Sequence, residues 1–217
     1  MDEEARRVGL EIINVAREML QSGLVEGTEG NVSAKVGDDR ILITPTSMNY
    51  MEMTIEDLVL IDLKGNVLEG KRQPSSEKPM HLRVYNARED VGAIVHTHSL
   101  YASVLAVLRK PLPPLTDEFI FKYGGTIEVA EYGLTGSKEL AENAVKALGS
   151  RAAVILANHG TLCCGRTPSH ALETAKILER MAKIYVIASM LGEPHPLPEK
   201  VLRDGEAIYE ILRKSKK

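Results

Sequence analysis

The sequence predicts an α/β domain in which a sheet with substantial antiparallel pairing is covered by helices. Three observations carry that expectation. Two short hairpins fall in the first third of the chain, two later apolar runs read as buried strands, and helical stretches alternate with them. Hairpins this early favour antiparallel strands joined by tight turns over a wound parallel sheet, whose strands need long crossovers.

Taken in order, residues 2–22 place Val8, Ile12, Val15, Ala16, Met19 and Leu20 at helical spacing, with Gly23 where a left-handed C-terminal cap is wanted. Glycines and polar residues fill 27–30. Extended runs over 31–36 and 40–44 are joined by Gly37-Asp38-Asp39, and a second hairpin over 58–62 and 66–68 turns at Lys64-Gly65. Pro74-Ser75-Ser76 opens a helix reaching about Arg88, in which Pro79 is tolerable only in the first turn. Residues 92–98 read as a buried strand and Ser99 as the cap of a helix over 100–108. A proline-rich loop over 111–114 precedes a candidate strand at 126–131. Ser137 caps a helix that reaches Leu148 and stops at Gly149. Residues 152–157 read as a central strand. Thr167-Pro168 then opens the longest helix, which ends at Leu191 with Gly192 as its stop. No repeat, low-complexity tract or linker interrupts the chain, so residues 1–217 are expected to form one domain.

A chain of 217 residues is long enough for one sizeable core. A formal charge of -3 lacks the basic excess of a nucleic-acid surface, so no such partner is expected. No apolar run approaches the ~18–20 residues of a membrane span, and the acidic start Met1-Asp2-Glu3-Glu4 is the opposite of a signal peptide's. The neighbouring Cys163 and Cys164 cannot form an ordinary structural disulfide with each other. They read as small apolar residues on opposite faces of a strand, with soft metal ligands as the other reading. These features together point to the cytoplasm.

The sharpest chemical signal is His96-Thr97-His98 at a strand end. Side chains alternate along a strand, so both imidazoles share one face. Alone, the pair also fits two hydrogen-bonded strand-end histidines. The second apolar strand, however, delivers His159 at its own end, and Gly160 lets the chain turn closely behind it. Three protein ligands with an open position is the pattern of a catalytic zinc, and imidazole also accepts manganese or cobalt. His81, His170 and His195 read as packing or surface residues. Ser75-Ser76-Glu77 at a helix start offers hydroxyls and free N–H groups to a phosphate, or else is a plain helix cap. Gly30-Asn31 and Thr44-Pro45-Thr46-Ser47 add donors of the same kind. The chain has no P-loop and no G-x-G-x-x-G, so a nucleotide is not the expected ligand.

Five motifs occur in order: Gly30-Asn31-Val32-Ser33-Ala34-Lys35, Ile43-Thr44-Pro45-Thr46-Ser47, Pro74-Ser75-Ser76-Glu77, His96-Thr97-His98 and Asn158-His159-Gly160. This set resembles the class II aldolase/adducin family over nearly the whole chain. The resemblance implies a three-layer αβα fold with a central, largely antiparallel sheet, and a homotetramer with active sites at subunit interfaces. It implies one zinc ion per subunit on His96, His98, His159 and Glu77, with Glu77 also the acid/base. Asn31, Thr46, Ser47, Ser75 and Ser76 would hold the phosphate of a small sugar substrate. The implied reaction is reversible cleavage of a ketose 1-phosphate of the L-fuculose 1-phosphate type to dihydroxyacetone phosphate and an aldehyde, by way of a metal-stabilised enediolate. A pentulose-phosphate 4-epimerase or a methylthioribulose-1-phosphate-type dehydratase is the other reading. Two departures stand out. Asp117 occupies the place of the aldolase's second proton-transfer tyrosine, and Phe121 that of the epimerase's aspartate. Asp117 is therefore the catalytic candidate there, beside Glu118, Tyr123 and Tyr209. No lysine Schiff base is required of Lys35 or Lys78.

Overall fold

The computed structural model describes residues 1–214. Helix α1 (Glu3–Gln21) starts where Asp2 accepts the Ala5 N–H at 2.9 Å, and Glu3 and Glu4 sit favourably in its first turn. Two hairpins follow, β1 (Asn31–Val36) with β2 (Arg40–Ile43) and β3 (Val59–Asp62) with β4 (Val67–Glu69). Next come α2 (Lys78–Ala87), β5 (Ala93–Thr97), α3 (Leu100–Leu108), α4 (Asp117–Tyr123), β6 (Val129–Ala130) and α5 (Lys138–Leu148). The chain continues through β7 (Ala153–Leu156), β8 (Gly160–Gly165), α6 (Pro168–Leu191) and α7 (Glu199–Lys214). The strands form one sheet in the order β4-β3-β2-β1-β5-β8-β7-β6. Every pairing is antiparallel except β6 with β7.

Strand alternation divides the interior into two cores, one on each face. Val32, Val95, Ile155 and Cys163 face α1, α3 and α6, whereas Ile43, Ile94, Val154 and Cys164 face α2 and α5. The result is the three-layer αβα arrangement the resemblance implied. The adjacent cysteines are buried on opposite faces, as a strand requires, and both are free thiols.

Four expectations need correction. Helix α2 begins at Lys78, after Pro74-Ser75-Ser76, because Pro74 bridges to Pro45 and the Ser75 N–H donates to the Thr44 carbonyl, holding that stretch extended. Pro79 still falls in the first turn. Ser99 occupies the N-cap position of α3, but its side chain makes no cap bond. Glu179 on α6 reaches across instead and accepts the N–H groups of Tyr101 and Ala102 at 2.9 and 3.0 Å. Of the candidate strand at 126–131 only Val129–Ala130 joins the sheet, since Ile127 bonds with Leu112 in the proline-rich segment. Strand β7 lies second from the edge, and the central places go to β1 and β5. Helix α7 did not emerge from the sequence pattern. Its Gly205 interrupts the apolar spacing, and a Cβ there would stand 2.7 Å from Ile120 Cγ2.

Candidate metal centre

The C-terminal end of β5 and the start of β8 are paired, Thr97 opposite Thr161 and His96 opposite Leu162. His96 is the penultimate residue of β5, His98 follows the strand, and His159 sits in the turn between β7 and β8. Gly160 makes this approach feasible: a Cβ there would stand 2.3 Å from the Thr97 carbonyl oxygen and 2.8 Å from His98 Cδ2. Gly30 has the same office at the start of β1, with φ +69° and only 2.6 Å between its virtual Cβ and the His96 carbonyl.

The three imidazoles form a triangle, with ring centroids 4.8, 4.8 and 5.0 Å apart. Glu77, immediately before α2, turns its carboxylate into this triangle. Its Oε2 lies 2.9 Å from His96 Nε2 and its Oε1 3.2 Å from His159 Nε2. The ligand atoms of Glu77, His96, His98 and His159 all lie within 4.8 Å of one another.

The polar partners test whether these residues fit a metal ion. His96 Nδ1 lies 2.8 Å from the Thr161 carbonyl oxygen. A carbonyl only accepts, so Nδ1 carries the proton and Nε2 presents a lone pair. His98 Nδ1 faces the Glu29 carboxylate at 3.4 Å, which by the same logic turns the His98 Nε2 lone pair inward. That Nε2 lies 2.9 Å from His96 Nε2. In the neutral tautomers, lone pairs and a carboxylate therefore converge on one point with no hydrogen between them. A divalent cation satisfies that arrangement and a hydrogen-bond network does not. The four-donor group fits a metal.

Electrostatics agree for three of the four residues. Burial alone would raise the Glu77 carboxyl, but the His96 charge and hydrogen bond, with His159 and Asn31, hold it well below the ordinary carboxylate range. Burial also lowers the His96 imidazole, which the facing Glu77 more than reverses. His98 is lowered by burial and by the neighbouring His96 charge, and His159 is pushed down to about 4 for the same two reasons. The carboxylate is thus ionised and His98 and His159 are neutral near neutrality, as metal ligands must be, whereas without a cation Glu77 favours the protonated form of His96, a proton that a bound metal would displace.

Expected phosphate-binding residues gather beside this centre. The Thr46 N–H donates to the Gln73 carbonyl and the Ser75 N–H to the Thr44 carbonyl, so the 44–47 and 73–76 loops lie together. Thr46, Ser47 and Ser76 are exposed there; Ser75 is buried and its Oγ accepts the Glu77 N–H at 3.2 Å. Asn31 is drawn to the metal group, where its Nδ2 donates to Glu77 Oε2 at 2.8 Å. The candidates for a second proton-transfer residue fall elsewhere. Asp117 is an exposed first-turn residue of α4, outside the four-residue group, and Glu118 pairs with Arg180. The Tyr123 hydroxyl is buried and donates to the Thr174 carbonyl, and that of Tyr209 donates to the Ser150 carbonyl. Lys35 lies over the Tyr85 ring and Lys78 donates to the Gly65 carbonyl. Sequence reasoning missed Thr161 and Glu29 as partners of the ligands. Thr161 is seen only once β5 and β8 pair, whereas Glu29 stands beside Gly30-Asn31 and was within reach of inspection.

Fold and site together define a three-layer α/β domain whose Glu77, His96, His98 and His159 could hold a metal ion. Residues 10–186 match the family described as Class II Aldolase and Adducin N-terminal domain, and the chain belongs to that family. The 5-deoxy-D-ribulose 1-phosphate aldolase of Bacillus thuringiensis serovar kurstaki is 40% identical over 201 residues, 92% of this chain and 94% of that protein. The 5-methylthioribulose-1-phosphate/5-deoxyribulose-1-phosphate aldolase of Rhodospirillum rubrum is 37% identical over 205 residues, 94% and 89% of the two chains. A solved structure of an L-fuculose 1-phosphate aldolase superposes with a TM-score of 0.89 at 40% identity, covering 95% of this chain and 96% of that one.

Proposed function

We propose that the protein is a metal-dependent class II aldolase that cleaves a small ketose 1-phosphate reversibly to dihydroxyacetone phosphate and an aldehyde. The observation that carries this reading is the Glu77 carboxylate inside the triangle of imidazoles, at 2.9 and 3.2 Å from two of them. A carboxylate so placed can serve as ligand and, once released, as acid/base on a neighbouring carbon.

His96, His98, His159 and Glu77 would hold the ion, zinc in first place, with manganese or cobalt compatible with the same donors. When bound, it supplies Lewis acidity that polarises a carbonyl and stabilises negative charge beside it. The chain's own groups do the rest. Glu77 moves the proton, and Asn31 Nδ2 steadies its carboxylate. The hydroxyls of Thr46, Ser47 and Ser76, with Ser75 and Asn31 behind them, receive the phosphate and turn binding into orientation. The sugars named for the two relatives and the solved structure all end in an apolar methyl or methylthio group. This supports an aldehyde product with a small apolar end.

The full chain, 1–217, is read as one such domain working in the cytoplasm as a homotetramer. Apolar Ile187, Met190 and Leu191 are exposed on the second half of α6, which supports burial of that face by another subunit. Asp117, exposed on its own subunit, is then available to a neighbouring subunit's site as the second proton-transfer group. No helix of the described residues is long and apolar enough to cross a membrane. Product analysis by phosphorus NMR tests the reading on L-fuculose 1-phosphate and 5-deoxyribulose 1-phosphate. Dihydroxyacetone phosphate supports it, whereas a stereoisomeric phosphate or a dehydrated one turns the assignment to epimerase or dehydratase.

A further inference from the structure

Strand β1 and helix α2 are joined by a ladder of polar contacts leading away from the metal centre. Asn31 Nδ2 donates to Glu77 Oε2 at 2.8 Å, Ser33 Oγ lies 2.7 Å from His81 Nδ1 and 2.8 Å from the Tyr85 hydroxyl, and Lys35 Nζ lies 5.6 Å from the Tyr85 ring centroid. Two residues of strand advance about 6.6 Å and four of helix about 6.0 Å, so the two series stay in step for three rungs. Ser33, His81 and Tyr85 are buried, so their protons must be placed within the protein. Among the described residues, the one side-chain or backbone acceptor within hydrogen-bond reach of the Tyr85 O–H is Ser33 Oγ. Tyr85 therefore donates to Ser33, Ser33 donates to His81 Nδ1, and neutral His81 keeps its own proton on Nε2. Complete burial pushes this imidazole down to about 3, so it is neutral at physiological pH.

That Nε2 is buried with no hydrogen-bond partner, and Glu77 Oε1, which faces His159 Nε2 at 3.2 Å, likewise makes no hydrogen bond. His81 stands four residues after Glu77, and helical side chains lean toward the helix N-terminus, which brings the imidazole over the Glu77 turn. We propose that His81 is a positioning residue for Glu77, whose Nε2–H receives the carboxylate when it withdraws from the metal. Asn31 holds the carboxylate in its ligand position, and His81 holds it in its acid/base position. The Ser33–Tyr85 pair behind keeps the His81 tautomer fixed.

This inference rests on the aldolase reading of the same site, and the test separates the two. Zinc-loaded wild type, His81→Asn and His81→Gln are compared on a ketose 1-phosphate that wild type cleaves. Asparagine offers Ser33 a partner near the place of Nδ1 but no donor at Nε2; glutamine extends an N–H toward that place. The expected result is a kcat about 10–100-fold lower in His81→Asn, with KM and zinc content little changed, and partial recovery of kcat in His81→Gln. An unchanged kcat in His81→Asn overturns the proposal. So does an equal loss of zinc and thermal stability in both variants, which marks a packing role alone. Nitrogen NMR of the zinc-loaded wild type gives a readout without substrate: a proton on Nε2 is expected, and a proton on Nδ1 overturns the proposal even where no cleavage is found. Failure of wild type to cleave any ketose phosphate counts against the aldolase reading, and the tautomer then decides the placement of His81 on its own.

Discussion

The Thr161 carbonyl accepts from His96 Nδ1 at 2.8 Å across the β5–β8 pair. One backbone group, delivered by sheet register, thus selects the tautomer that leaves His96 Nε2 facing the other ligands. Around this bond the site is assembled from four separated segments, residues 29–31, 75–77, 96–98 and 159–161.

His96→Ala removes a completely buried imidazole from the centre of the ligand group. Zinc affinity is expected to fall by at least about 100-fold, since both the ligand and its oriented lone pair are lost. Metal analysis after dialysis against a weak chelator checks it. Retention of a full equivalent of zinc would move the site away from His96.

Glu77→Gln keeps the shape of the side chain but withdraws the charge and the base. A kcat lower by about 10²–10⁴-fold is expected, with substrate binding retained. Steady-state kinetics beside a zinc titration distinguish loss of the base from loss of the metal.

Gly160→Ala places a methyl against the Thr97 carbonyl oxygen and His98 Cδ2, at 2.3 and 2.8 Å before relaxation. The two histidine segments must separate, at a stability cost of about 1–3 kcal/mol. Weaker zinc binding is expected to accompany it. Thermal unfolding with and without zinc measures both effects, and a variant with wild-type values in both would remove Gly160 from the account.

Much of this arrangement was legible in the sequence, for physical reasons that differ by residue. His96 and His98 were readable because strand alternation is local, and His159 because an apolar run announces the strand before it. The hairpins were readable from turn residues such as Gly37 and Lys64-Gly65. Glu77 was placed in the first turn of a helix and stands just before it, because nothing local reveals that Pro74 and Ser75 are held by Pro45 and Thr44. The cap of α3 was misassigned to Ser99 for the same reason: its acceptor, Glu179, lies 77 residues from Ala102. Helix α7 escaped because Gly205 serves the packing against Ile120, and a helix pattern reads such a glycine as a break.

Glu179→Ala leaves the N–H groups of Tyr101 and Ala102 without their acceptor, in the turn that follows His98. The expected loss is about 1–2 kcal/mol, the usual value of a helix N-cap. For a chain of this size that lowers Tm by roughly 2–8 °C. Calorimetry checks it, and an unchanged Tm would show that water replaces the carboxylate without cost.

Asp90 supplies a pH dependence of stability remote from the metal. Burial alone would raise its carboxyl, but Arg88 and Arg213 beside it lower it to about 2. A carboxyl lower in the folded state than in the unfolded one stabilises the fold above the unfolded value near 3.9, and loses that contribution as pH falls through about 2. Discounted for solvent screening of these partly exposed charges, the contribution at neutral pH is on the order of 1 kcal/mol. Asp90→Asn is expected to lose it at pH 7 and to flatten the fall in stability between about pH 4 and 2. Denaturant titrations across that range check this, and equal slopes for both proteins would contradict it.

The account's central claim is that cleavage needs the metal held by Glu77, His96, His98 and His159. Its most direct test follows dihydroxyacetone phosphate release from a ketose 1-phosphate before chelation, after chelation, and after zinc is restored to the same sample. The account predicts release that stops on chelation and returns with zinc. Release that persists in the metal-free protein, or none from the zinc-loaded protein, would contradict it.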